Sequence, residues 1–440
     1  MNRIYEAAAY APDPGVFWHD TCPRPDWPRL ERDLACEVAV IGGGFTGLNA
    51  ALHLAQDGID VALLEAETPG FGASTRNGGF CCLGGAKAPD ALLRRRFGAA
   101  GLADWRATEK AAVGHVAGLL RDHAIEADTH SQGETLLAHA PRAMADLRAR
   151  AAGIDAAYGV TPDLTEARDL PARGLGGAFH GALTIPLGFA LNPAKYHAGL
   201  SRAADAAGAA LHARTPVTAL RHNGQAYRLQ TPRGTVTADR VILATNGYSS
   251  EDVPAWLRAR TLPVQSSVLV TRPLTRTEQE AQGWTSDQMA YDTRTLLHYF
   301  RKLPDGRFLF GMRGGRTATP RARAAIARKI RRDFHAMFPA WHGVEITHDW
   351  SGLVCLMANL TPFAGPVPGH PGLFAGLGYH GNGVAMGSYT GALLAALAQG
   401  KPPTGPWPAA LQITPKRFPL GGFRRALLLP AYAAASLLDR

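Results

Sequence analysis

Long apolar runs are missing from this 440-residue chain; no stretch of eighteen residues is free of charge, glycine and turn signals. That argues against a membrane-spanning helix. Cysteine is scarce and odd in number, five residues at Cys22, Cys36, Cys81, Cys82 and Cys355, with neither a CxxC pair nor a Cys/His zinc spacing. Free thiols in a reducing compartment and no structural metal are therefore expected. The opening MNRIYEAAAYAPDPG has no apolar core, so a secretory leader is not expected and the chain reads as soluble and cytoplasmic. Acidic residues are the minority, 36 against 46 basic, for a net charge of +10. The positive charge gathers only around Arg94–Arg96, Arg321–Arg332 and Arg417–Arg425, without a zinc-finger or RNA-binding signature. No nucleic-acid partner is expected, whereas an acidic substrate or an anionic membrane surface would suit the same charge. At 46% hydrophobic and 19% charged residues the composition is globular, and it excludes a disordered chain.

Glycine is abundant, and its placement is informative. From Cys36 the chain reads CEVAVIGGGFTGLNAALHLAQDGIDVALLEAE. Glu37 to Ile41 predicts a buried parallel strand. Gly42, Gly44 and Gly47 then give G-x-G-x-x-G: a tight turn, room for a pyrophosphate against the backbone, and close packing of the next helix on the strand. Phe45 and Thr46 open that helix, whose positive end faces the phosphates. Ile59 to Leu64 predicts a second strand, closed by Glu65 and Ala66. An acid at Glu65 suits a ribose hydroxyl and disfavours a 2′-phosphate. A dinucleotide site follows, for NAD or for FAD.

A second G-x-G-x-x-G between strand and helix is absent, as is a redox cysteine pair, which removes the pyridine-nucleotide disulfide reductases. The next segment, TPGFGASTRNGGF, sets Ser74, Arg76, Asn77, Gly78 and Gly79 in one glycine-rich loop suited to a large planar ligand. GASTRNGG, VILATNGYS (Val241 to Ser249) and GYHGNGVAMG (Gly378 to Gly387) together resemble the FAD-dependent D-amino-acid oxidase and glycine oxidase-type oxidoreductases. WSGLVCLMANLTPFAG and YFRKLPDGRFLFG are similar to the gamma-glutamylputrescine oxidoreductase-like members.

The resemblance implies an α/β fold, with a Rossmann-type FAD-binding domain and a discontinuous α+β substrate domain on an antiparallel or mixed sheet. It implies an N-terminal arm over 1–35 and an FAD-binding domain over 36–127, 191–255 and 346–400. The substrate-binding domain would take 128–190 and 256–345, and a tail 401–440. That tail mixes arginine with an apolar face, so it suits packing on the body or peripheral contact with a membrane. Non-covalent FAD is expected, with Gly352, Gly381, Asn382, Gly383, Val384 and the backbone of Val217 as further contacts.

The implied activity is oxidation of the carbon–nitrogen bond of a small amine or amino acid, possibly gamma-glutamylputrescine-like, by hydride transfer to flavin N5 and hydrolysis of the imine. Alternatives are a D-amino-acid or N-methyl-amino-acid dehydrogenase or oxidase, and a flavin-holding docking subunit. Oxygen or another electron acceptor would complete the cycle. Tyr299 and Arg301 alternate on a predicted strand and so share a face, opposite His298. They are catalytic-site candidates together with His380, and Arg301 would bind an anionic substrate group. Arg313 and Arg316 have a similar, weaker case. The resemblance places Leu309 where oxygen-reactive members carry a flavin-facing lysine, and Cys355 near a position used for covalent flavin attachment.

Overall fold

The computed structural model describes residues 2–439. Two eight-stranded sheets dominate it. In the first, Leu34–Ile41 pairs in parallel with Val61–Leu64 on one side and Thr235–Leu243 on the other. Ala210–His212 and Leu373–Leu377 extend it in parallel, and Phe363–Pro366 closes an edge antiparallel. An antiparallel hairpin, Ala219–His222 with Tyr227–Gln230, branches from Thr235–Leu243. Strand alternation explains the layering. Val38 and Val40 face the helices Phe45–Gln56, Pro193–Ala206 and Ala385–Ala398, while Ala39 and Ile41 join Val217, Tyr227 and Leu229 on the opposite face.

The second sheet runs Ile346–Met357, Thr261–Thr271, Phe308–Arg313, His298–Lys302, Met289–Asp292, Glu134–Leu137, Gly181–Ile185, Asp163–Glu166. All its pairs are antiparallel except Met289–Asp292 with Glu134–Leu137. Phe300, Phe308 and Phe310 turn one face onto Phe334 and Met337 of the basic helix Pro320–Met337. The cross-strand pair Phe300 and Phe310 stacks at 5.9 Å between centroids. Tyr299, Gly311 and Arg313 occupy the other face, toward the first sheet.

The helix expected from Leu93 to His123 spans Asp90–Asp122 and is broken at Gly98, whose φ is +75°. Pro193–Ala206 begins three residues earlier than its apolar spacing suggests. Its start is fixed by Asn192, whose side-chain oxygen accepts from the amides of Ala194 and Lys195 at 3.1 and 3.2 Å, and by proline at the first helical position.

Residues before the first strand form two short 3-10 turns that bury Tyr10, Phe17 and Trp18. Trp18 Nε1 donates to the Asn77 carbonyl at 2.8 Å, and Arg76 Nη2 to that of Ala11 at 3.0 Å, so this arm braces the glycine-rich loop. At the other end the helix Leu428–Leu438 lies on the body. It is tied there by a buried pair of Arg424 with Glu251 at 2.6 Å and by Arg425 with Glu6 at 2.8 Å. Phe423 remains 84% exposed. Among the described residues, no helix is long and apolar enough to cross a membrane.

Candidate active site

A cavity of about 660 Å³ runs between the two sheets. At one end stands the turn after Leu34–Ile41. Gly42 has φ +108°, and a Cβ there would lie 2.9 Å from the Ala244 carbonyl oxygen. A Cβ on Gly44 would sit 2.7 Å from Ser74 Oγ, and one on Gly47 only 1.9 Å from the Gly42 oxygen. The helix Phe45–Gln56 has no side-chain cap at Gly44, and the amide of Phe45 donates to Ser74 Oγ at 2.9 Å. An uncapped positive helix end inside a glycine cradle fits a diphosphate. Glu65 closes this end: its two oxygens accept from the amides of Gly43 and Glu67 at 2.7 and 2.9 Å, and burial pushes its carboxyl up from the ordinary range. Arg3, from the arm, also borders the cavity, with its Nε lacking an acceptor.

Every cofactor-contact candidate named from the sequence borders this cavity except Gly47 and Gly79. Those two stand behind the wall, where only glycine fits. A Cβ on Gly79 would lie 2.0 Å from the Leu191 oxygen and 2.4 Å from Arg301 Nη2. Arg76 borders the cavity, yet its guanidinium donates to the Phe71, Ala11 and Ser351 carbonyls, so it holds the loop's shape. Asn77 acts likewise, donating to the Ala73 and Ser74 carbonyls and accepting from the Gly79 amide.

The other end is walled by Tyr299, Arg313, Lys87 and the loop His380–Val384. Tyr299 spreads its ring over Gly311, where a Cβ would be 2.1 Å from its Cζ, and shares a hydrogen bond with Ser266 Oγ at 3.0 Å. Arg313 donates to the His380 carbonyl at 3.3 Å. Among the described residues neither Arg313 nor Lys87 has a carboxylate partner. Lys87 is exposed, and the Arg313 guanidinium beside it holds its ammonium down at about 7. Tyr291, Arg106, Glu109, Arg150 and Tyr158 also border the cavity, and Arg150 is exposed to solvent.

The geometry corrects two of the three catalytic candidates. His380 borders the cavity, but its Nδ1 donates to the Gly85 carbonyl at 2.7 Å and its Nε2 accepts from the Met357 amide at 3.1 Å. Burial holds it down at about 4, so it is a neutral bracket between loops with no ring nitrogen left for substrate. Arg301 shares the face of Tyr299, as alternation requires, yet it neither reaches the cavity nor lies on the surface. It is fully buried and donates to the Gly78 and Leu191 carbonyls at 2.9 and 2.7 Å, with His130 Nε2 at 3.0 Å. Arg316 is exposed. Leu309 lies among Phe17, Trp18, Val268 and Trp350 and does not border the cavity. Cys81 and Cys82 are free thiols, and burial pushes Cys355, at the cavity wall, up to about 12.

The sequence reading overlooked Arg3, Lys87, Arg150 and Tyr291. None belongs to a motif; each arrives from a separate element, and only the fold brings them together.

A glycine cradle at the C-terminal end of a parallel strand, opening onto a cavity roofed by a second, largely antiparallel sheet, defines a dinucleotide-binding protein. Residues 37–397 match the FAD dependent oxidoreductase (DAO) family, and the chain belongs to it. It is 34% identical over 97% of its length, and 98% of the relative's, to the probable oxidoreductase OrdL of Rhizobium meliloti (strain 1021). It is 28% identical to the gamma-glutamylputrescine oxidoreductase of Escherichia coli (strain K12), over 84% of this chain and 85% of that one. In fold it is similar to the glycine oxidase of Geobacillus kaustophilus, with a TM-score of 0.70 at 21% identity, covering 87% of this chain and 99% of the other.

Proposed function

We propose that this enzyme oxidises the carbon–nitrogen bond of a small amine or amino acid, with an amine of the gamma-glutamylputrescine kind as the preferred substrate. Bound FAD supplies the acceptor for a hydride. Gly42, Gly44 and the first turn of the helix Phe45–Gln56 would hold its diphosphate, Glu65 a ribose hydroxyl, and the Ser74–Gly78 and Gly381–Val384 loops its ring system.

The observation that carries this reading is Arg313 beside Tyr299, without a carboxylate partner among the described residues and with Lys87, held near half-charge at neutral pH, next to it. Like charge disfavours an ammonium placed there, so the substrate nitrogen keeps its lone pair. The adjacent C–H bond then breaks with its electrons leaving as hydride, and the lone pair forms the C=N bond. Water adds to that bond, releasing the nitrogen as amine or ammonia and leaving a carbonyl. No obligatory acid–base residue is needed, which agrees with the ring nitrogens of His380 both being engaged. Tyr299, fixed by Ser266, walls the reacting end.

The test is the visible spectrum recorded anaerobically as gamma-glutamylputrescine, putrescine, sarcosine, glycine and several D-amino acids are added in turn. Bleaching by an amine supports the reading, and recolouring on admission of air separates oxygen from another acceptor. A yellow protein that none of them bleaches overturns it. Arg313 makes its own prediction. Arg313→Met removes a like charge, so the substrate amine becomes easier to protonate. The ascending, acid-side limb of the reduction rate should move up by about one pH unit. The variant should be slow near neutrality and recover at high pH; an unshifted pH profile would remove Arg313 from this role.

A further inference from the structure

Of the seven large apolar side chains left exposed among the described residues, five fall in one short stretch, Leu420 to Leu438. The helix Leu428–Leu438 reads LLPAYAAASLL and contains no charged residue. Helical spacing divides it into two faces. Leu428, Tyr432 and Ala435 turn inward, where Leu428 packs with Leu262 and Val264. Leu429, Ala433 and Leu437 turn outward, and Leu437 and Leu438 are 66% and 67% exposed. Phe423, in the turn that precedes the helix, is exposed as well. A surface helix ordinarily carries its charges on the outward face, and this one is apolar there. The border of the segment is basic. Arg142 donates to the Leu438 carbonyl, Arg316 lies close to Tyr432, and Lys416 and Arg417 precede Phe418, which packs on the same cluster. All four cations are exposed, and among the described residues none has a carboxylate partner. The acids that reach the segment are engaged: Glu6 with Arg425, Glu251 with Arg424, and Asp439 with the amides of Thr295 and Leu296.

We propose that this face docks on an anionic lipid bilayer. Phe423, Leu429, Leu437 and Leu438 enter the interface, while Arg142, Arg316, Lys416 and Arg417 meet lipid phosphates. An uncharged helix face bordered by cations suits a helix lying in the plane of an interface, where apolar burial and attraction to anionic headgroups add. The net charge of +10 acts in the same direction. A second copy of this chain fits the face less well. A two-fold contact sets one patch against itself, and would bring the four cations of each copy close to those of the other. The inference is independent of the substrate, because it concerns where the enzyme works and not what it oxidises.

The test sediments the holoenzyme with vesicles of phosphatidylcholine alone, and with vesicles holding phosphatidylcholine and phosphatidylglycerol in about equal parts. Binding to the mixed vesicles is expected at low salt. It should be about tenfold or more weaker on phosphatidylcholine alone, and should fall as salt is raised. Phe423→Glu combined with Leu437→Glu should lower partition onto the mixed vesicles by at least about tenfold. Arg316→Gln combined with Arg417→Gln should lower it by about tenfold to thirtyfold, and leave the weak binding to phosphatidylcholine unchanged. All four side chains are exposed, so both variants should keep the parent's visible absorbance and unfolding midpoint. No sedimentation with either vesicle, equal sedimentation with both, or sedimentation that neither variant reduces would overturn the proposal. So would a dimer seen by light scattering without lipid that the double glutamate variant converts to monomer, because the covering partner is then a second copy.

Discussion

Gly47→Val is expected to give a protein without yellow colour. A Cβ at this position would lie 1.9 Å from the Gly42 carbonyl oxygen, and a backbone atom cannot rotate away. The helix Phe45–Gln56 would have to lift from the strand that carries it, taking its uncapped amides out of line with the cradle. Overpacking of this kind costs about 1–3 kcal/mol before any ligand effect. Because the displaced amides are the ones assigned to the diphosphate, flavin occupancy should fall by at least about tenfold, read from visible absorbance after gel filtration. Gly114→Ala is the control. It lies in the helix Asp90–Asp122, a Cβ there meets nothing within 4 Å, and alanine should gain about 0.5–1 kcal/mol of helix stability. Full flavin occupancy in Gly47→Val would sink the cradle assignment.

Arg301→Met should act on stability and not on substrate affinity. The guanidinium is fully buried and bridges the Gly78 carbonyl, in the glycine-rich loop, to that of Leu191, while His130 accepts from its third nitrogen. Methionine fills similar volume but leaves three buried acceptors unsatisfied, each worth about 1–3 kcal/mol. A loss of about 3–5 kcal/mol is expected in urea unfolding of the holoenzyme, together with weaker flavin retention, since Gly78 borders the cofactor cavity. Flavin that remains bound should respond to substrate with near-normal affinity. An unchanged unfolding midpoint combined with weakened binding of an anionic amine would return this arginine to the substrate.

The fold's framework was legible in the sequence wherever one element carried the whole signal. Strand, glycines, helix, strand and Glu65 are contiguous, and each part needs a particular residue for a local reason. The alternation in HYFRK likewise put Tyr299 and Arg301 on one face. Alternation fixes a side of a sheet, however, and not a destination along it. Arg301 points between the Gly78 and Leu191 carbonyls, while Arg313, one strand over and nearer the His380 loop, enters the cavity. His380 misled for a related reason. A histidine in a glycine-rich ligand loop resembles a catalytic group until its two partners, Gly85 and Met357, are known, and both are remote in sequence. Lys87 and Arg150 carried no signal at all. On their own helices and loops they read as solvated charges, and only the packing of the second sheet over the first brings these exposed side chains to the rim of the cavity.

The wall of the cavity draws on residues from Arg3 to Val384, and the strands of both sheets interleave along the chain. Synthesis therefore imposes a long wait. At about 5–20 residues per second, roughly 20–80 s pass between the emergence of the arm and that of the last loop. For much of that interval Leu34–Ile41 lacks Thr235–Leu243, its parallel neighbour on one side, and presents an open edge that invites pairing with other chains. Colour then becomes a stamp of completed assembly. A chain released early, or trapped with its sheets unpaired, stays pale however much flavin the cell holds, so the yellow fraction of a preparation sets a lower bound on the molecules that finished folding.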